Sequence, residues 1–171
     1  IEAWLAETET RREKRLMTDL LREIDLTAIT NISTGILDSS VRNMTINHDG
    51  TVLAFNDTWH IYVINLETNT FLKHKFPNFV NDIEFVANEN ILLVACGSGE
   101  LYQVDYVKKE IDVLAEFKTA VTNIKGSPGG EKFIVGLGEL LLQMQWGETK
   151  IFDDLITLPK KVDYLSVGFQ G

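Results

Sequence analysis

Apolar and polar positions change rhythm near residue 25. Before that point the apolar residues keep helical spacing. Leu16, Met17, Leu20, Leu21 and Ile24 form one stripe at i, i+4 and i+8 with a neighbour beside it. Trp4 and Leu5 make a second short patch. Ala, Leu, Glu and Arg dominate the first 24 residues, and Gly and Pro are absent from them. Residues 1–26 are therefore expected to form an amphipathic α-helix. Its stripe suits packing on the same chain, or a partner groove or coiled coil.

From Asp25 onward, short apolar runs replace the stripe, rich in β-branched and aromatic residues. Turn clusters punctuate them: Asn47-His48-Asp49-Gly50, Gly97-Ser98-Gly99 and Ser127-Pro128-Gly129-Gly130. Each supplies residues that tolerate a positive or fixed φ. The pattern reads as strands joined by tight turns.

The strands repeat. A segment opening with Val and carrying a large apolar residue at its fourth position begins at Val41, Val80, Val121 and Val162, at spacings of 39, 41 and 41 residues. Each of the first three is followed by an apolar run: Val52 to Phe55, Ile91 to Val94, Phe133 to Val135. A third run follows at Ile61 to Ile64, Leu101 to Val104 and Leu141 to Met144, and a fourth begins at Phe71, Ile111 and Ile151. Four strands per period make one antiparallel sheet, apolar on both sides. Such a sheet hides both faces only by stacking against neighbours around an axis, as in a β-propeller.

The fold class expected is mostly β: a partial β-propeller of three four-stranded blades plus the first strand of a fourth, with an N-terminal α-helix. Residues 41–79, 80–120 and 121–161 are the blades. Residues 162–171 open the next, and residues 27–40 hold the outer strand of a preceding or closing blade. The chain begins with Ile1 and not Met. It is expected to be a piece of a longer protein, its ring completed by the remainder of the propeller from that protein or another chain.

Several of these segments resemble WD40-type repeats, over residues 41–171 and about ten residues before them. The turns His48-Asp49-Gly50 and Ser127-Pro128-Gly129-Gly130 are similar to that family's Ser-Pro-Asp-Gly turn. Ile61 to Leu66 followed by Glu67-Thr68-Asn69 resembles its third strand and the turn after it. Where the family favours Trp-Asp, this chain has Ile64-Asn65, Val104-Asp105 and Met144-Gln145, and the Gly-His signature is missing. The family's structural Asp-His-Ser/Thr-Trp network is thus expected to be largely absent. The resemblance implies a non-catalytic scaffold segment that binds other protein subunits within a larger complex.

Charge and composition narrow the choices. The 171 residues carry a formal net charge of −9, which weighs against direct nucleic-acid contact by this segment. No run of 18 apolar residues offers a membrane span. Cys96, the one cysteine, sits in the apolar run Ile91 to Cys96 and reads as a buried, inert thiol. A lone cysteine fits a reducing compartment, so an intracellular location, cytoplasm or nucleus, is expected.

Catalytic spacing is missing. There is no Gly-rich loop ending in Gly-Lys-Ser/Thr, no His-Glu-x-x-His and no Gly-x-Ser-x-Gly. His48, His60 and His74 fall on separate strands or turns without metal-ligand spacing. No catalytic residue, cofactor or metal is expected. Two rivals to the scaffold reading remain. One is a propeller subunit supporting RNA processing or tRNA modification. The other is a lactonase-like propeller hydrolase, for which Asn43, Asp82, Asn123 and Asp163 recur near the start of each first strand.

Propeller function usually lies in the loops at one end of the ring. Here these are residues 56–59, 77–79, 97–100, 118–120, 136–139 and 159–161. They give the candidate protein-binding residues Asp57, Trp59, Phe79, Lys118 and Lys160. Trp59 and Phe79 suit a contact surface because aromatics bury much area with few rotors. Packing between blades is the alternative for both. The stripe Leu16, Met17, Leu20, Leu21 and Ile24 is the candidate partner helix.

Overall fold

The computed structural model describes residues 40–127, 129–147 and 151–158, with backbone alone at 151, 152, 154 and 155. The helix expected over residues 1–26, with Leu16, Met17, Leu20, Leu21 and Ile24, lies outside the described residues. So do residues 27–39, Lys160, Asp163 and the strand expected over 162–171.

Twelve strands fill the described region. β1 (Asn43–Ile46), β2 (Val52–Asn56), β3 (His60–Asn65) and β4 (Phe71–Lys75) form one sheet. β5 (Val80–Phe85), β6 (Ile91–Cys96), β7 (Glu100–Asp105) and β8 (Glu110–Glu116) form the second. β9 (Asn123–Gly126), β10 (Lys132–Leu137), β11 (Leu140–Gln145) and β12 (Ile151–Thr157) form the third. Each is an antiparallel meander in sequence order. Tight turns with Asn69, Asn88, Lys109, Gly50, Gly99, Gly130 and Gly138 at positive φ reverse the chain.

The two-residue period of a strand explains the core. In β6, Leu92, Val94 and Cys96 point to the first sheet, where they meet Ala54, Ile61 and Val63. Leu93 and Ala95 point the other way, against Ile124, Phe133 and Val135 of the third sheet. β6 is therefore buried on both faces and almost continuously apolar, while β8 at the outer edge of the same sheet is largely exposed. Burial of a Leu or Val side chain stabilises by about 1.5–3 kcal/mol.

The sheets touch chiefly through their first strands: β5 lies against both β1 and β9. That convergence of first strands, with the later strands fanning outward, is the geometry of propeller blades. On the face of the first sheet turned away from the second, Phe55 stacks on Tyr62 with ring centroids 4.9 Å apart. Phe55, Tyr62 and Ile64 are buried there, while Met44, Ile46 and Phe71 on the same face are exposed.

Candidate functional site

The turns at one end of the sheets hold each other in place. Thr58 accepts from the Val80 amide at 2.9 Å and Trp59 from the Phe76 amide at 2.8 Å. Phe79 in turn accepts from the Gly97 amide at 2.8 Å, Cys96 from Val121 at 3.1 Å, and Gly136 from Thr122 at 2.8 Å. The β2–β3, β4–β5, β6–β7, β8–β9 and β10–β11 connections thus form one hydrogen-bonded end.

Asp57 organises the first of these turns. Its carboxylate accepts from the Trp59 amide at 2.7 Å, the His60 amide at 2.8 Å and the Tyr62 hydroxyl at 2.7 Å, with His60 Nδ1 3.2 Å away. Burial alone would raise its pKa. The donors from Tyr62, Trp59 and His60 outweigh that and hold the carboxyl below its ordinary range. Asp57 is fully buried and presents no surface to a partner. The acid–imidazole network expected to be largely absent is present in another form, with Tyr62 as the hydroxyl donor. His74 lies on the neighbouring strand, edge-on to Phe76. Burial, and then the charge of His60, lower its pKa.

Trp59 and Phe79 do face solvent. Their relative exposures are 37% and 50%, and their rings lie 4.4 Å apart at 42°. The pair caps the junction of the first and second sheets. Beside it, the floor is made of glycine. A side chain at Gly97 would meet Phe79 Cβ at 3.5 Å, and one at Gly99, whose φ is +109°, would run into the Phe117 carbonyl oxygen. Past Gly99 lies a groove of about 440 Å³ lined by Thr119, Ala120, Thr122, Leu137, Gly138, Glu139, Leu140 and Thr157. Lys118 is exposed at its near edge.

The recurrent Asn and Asp of the first strands do something else. Asn43 donates to the Asn81 carbonyl at 2.7 Å, and Asp82 accepts from the Ile124 amide at 3.0 Å. Both tie one sheet to the next. Lys125 completes the second junction, 2.8 Å from Glu84 and 3.6 Å from Asp82. Burial raises the pKa of both carboxyls, and Lys125 offsets only part of that. Burial would lower Lys125, but the two carboxylates win and raise it. No group of three or more His, Cys, Asp or Glu side chains is placed to hold a metal ion among the described residues. The Cys96 thiol is buried, and desolvation, with a contribution from Glu100, pushes it up to about 12. No described helix is long and apolar enough to cross a membrane.

Sequence patterns alone do not bring out Asn81, Glu84 and Lys125 as junction residues. Glu84 and Lys125 hold the same position of the Val80 and Val121 segments, but a polar residue on a strand gives no hint of a partner about forty positions away.

No protein-family profile matches the chain, and no curated protein matches it. Among solved structures it is similar to the one titled "Structure of U3-55K", a WD40 propeller protein. The TM-score is 0.55 at 16% sequence identity, covering 67% of this chain and 37% of that one. The chain thus spans well under half the length of that structure. At this identity the likeness concerns the fold: the three sheets are arranged as in a propeller.

Proposed function

We propose that this chain is a non-catalytic propeller segment whose loop end binds another protein within a larger assembly. The observation that carries the reading is the Trp59–Phe79 pair, two large aromatics in tilted contact yet 37% and 50% exposed. A solvated aromatic pair on a hydrogen-bonded, rigid platform gains much on being covered and loses little entropy in doing so. The use of Asn43 and Asp82 as ties between sheets supports a scaffold over a hydrolase, since those side chains are already engaged.

Quantitative cross-linking and co-purification of the full-length protein from its native cells tests this. Trp59→Ser/Phe79→Ser is compared with Val107→Ser/Val113→Ser, a change of two exposed valines away from the loop end. A specific set of proteins lost from the first variant and kept by the second is expected. Identical sets from both variants and the wild type would overturn the proposal.

A further inference from the structure

The loop end has a charge polarity that follows its two apolar features. Near the aromatic pair, Arg42 and Lys75 are exposed at the ends of β1 and β4. Asp57, on the same turn as Trp59, is buried and held by that turn. At the groove end exposed carboxylates outnumber the cation: Glu139 lines the groove and Glu116 stands where β8 ends, against Lys118 at the near edge. Gly97 and Gly99 pave the strip between, packed against Phe79 on one side and the Phe117 and Thr119 carbonyls on the other. Nothing bulkier than Ser98 stands on that turn.

We infer that this surface takes one continuous peptide segment with two apolar anchors, one against Trp59 and Phe79 and one in the groove beside Leu140. Acidic residues flank the first anchor and basic residues the second. The inference rests on the loop-end reading above and adds the partner's chemistry to it. Charge complementarity sets the orientation of the segment, and the anchors supply the affinity. The glycine floor lets a backbone lie close between them.

The probe is a set of synthetic peptides with two leucines, aspartates around the first and lysines around the second. Linkers of about four to eight residues are used, since extended chain covers about 3.4 Å per residue. A control set has the same composition with Asp and Lys mixed evenly at both ends. Binding is read by amide NMR titration of the whole chain, with a spin label on the lysine end. The polar peptide should bind at least about tenfold tighter than the control at low salt, the electrostatic preference of a rim-charged interface. Its label should broaden Leu140 and Thr157 and spare Trp59. Glu116→Lys/Glu139→Lys should erase the preference, and Thr119→Trp, which fills the groove, should abolish binding of a still-folded chain. Equal binding by the control, no effect of Thr119→Trp, or no binding by any peptide overturns the inference. Such a result leaves the co-purification outcome standing, whereas unchanged co-purification by Trp59→Ser/Phe79→Ser defeats the broader reading.

Discussion

Asn81 reaches across 40 residues of sequence to donate its side-chain amide to the Val121 carbonyl at 2.9 Å. Asn43 makes the equivalent reach, 38 residues, to the carbonyl of Asn81 itself. The first strands of the first and second sheets therefore each grip the next sheet by a side-chain amide. Replacing Asn81 with Ala removes the donor and leaves a half-buried carbonyl unpaired. The expected cost is about 1–2 kcal/mol. Hydrogen exchange should quicken in β9, while β2 keeps its protection. Denaturant titration with exchange mass spectrometry checks both, and uniform loss of protection across all three sheets would argue against a local tie.

Asp57 should matter far more than its place on a turn suggests. Asp57→Ala strips partners from the Trp59 and His60 amides and from the buried Tyr62 hydroxyl. A loss of about 3 kcal/mol is expected for donors left unsatisfied in the interior. Because the folded carboxyl sits below its ordinary value of 3.8, its contribution is complete above that pH and is lost as pH falls through the folded pKa. Asp57→Asn should therefore flatten the fall of stability below about pH 3.8 relative to wild type. Urea midpoints measured through the acid range would reveal it.

The period of strands was open to reading because burial on two faces writes a nearly continuous apolar run, and turns write Gly, Asn and Asp. Leu92, Leu93 and Val94 show the first effect, and Gly50 and Gly99 the second. The candidate site was legible only in part. Trp59 and Phe79 could be placed on loops, but whether they faced solvent or the gap between sheets depends on how the blades lean together. Asp57 falls on a loop by sequence, which suits a protein-binding residue, yet it is buried. Its burial follows from Tyr62, five residues on, whose hydroxyl returns to it only because the β2–β3 turn is tight. The groove beside Leu140 has no sequence signature, since backbone and short side chains from three separate segments shape it.

Two glycines with the same sign of φ should respond differently. Gly50 has a φ of +78° and open space where a side-chain carbon would stand, so Gly50→Ala costs only the backbone strain, about 1 kcal/mol. Gly99 also has a positive φ, but its added carbon meets the carbonyls of Phe117 and Thr119. Main chain cannot give way as a side chain does. Gly99→Ala is expected to cost about 3 kcal/mol or more and to open the β6–β7 turn under Phe79. Chemical denaturation of the two variants side by side decides; equal losses would mean that the Gly99 floor is not tightly packed.

Lys125 links the second and third sheets through two carboxylates whose burial already strains their ionisation. Raised folded pKa values mean that the native chain holds protons on Asp82 and Glu84 more tightly than the unfolded chain does. Their contribution thus declines as pH rises from the ordinary values of 3.8 and 4.5 through the folded ones. In Lys125→Met the compensating charge is gone and both carboxyls move further up, so that window extends toward neutrality. The variant should be weaker by on the order of 2 kcal/mol at pH 7.5, allowing for the partial exposure of the lysine. The deficit should shrink steadily as pH is lowered and the buried carboxyls take up protons. At the alkaline end, the wild type keeps its lysine contribution below 10.5 and loses it as pH rises through the raised folded value, so the two proteins should converge there as well. Thermal or urea unfolding of both across this range gives the curve. Parallel profiles with a constant offset would show that Lys125 acts through packing of its methylenes and not through its charge.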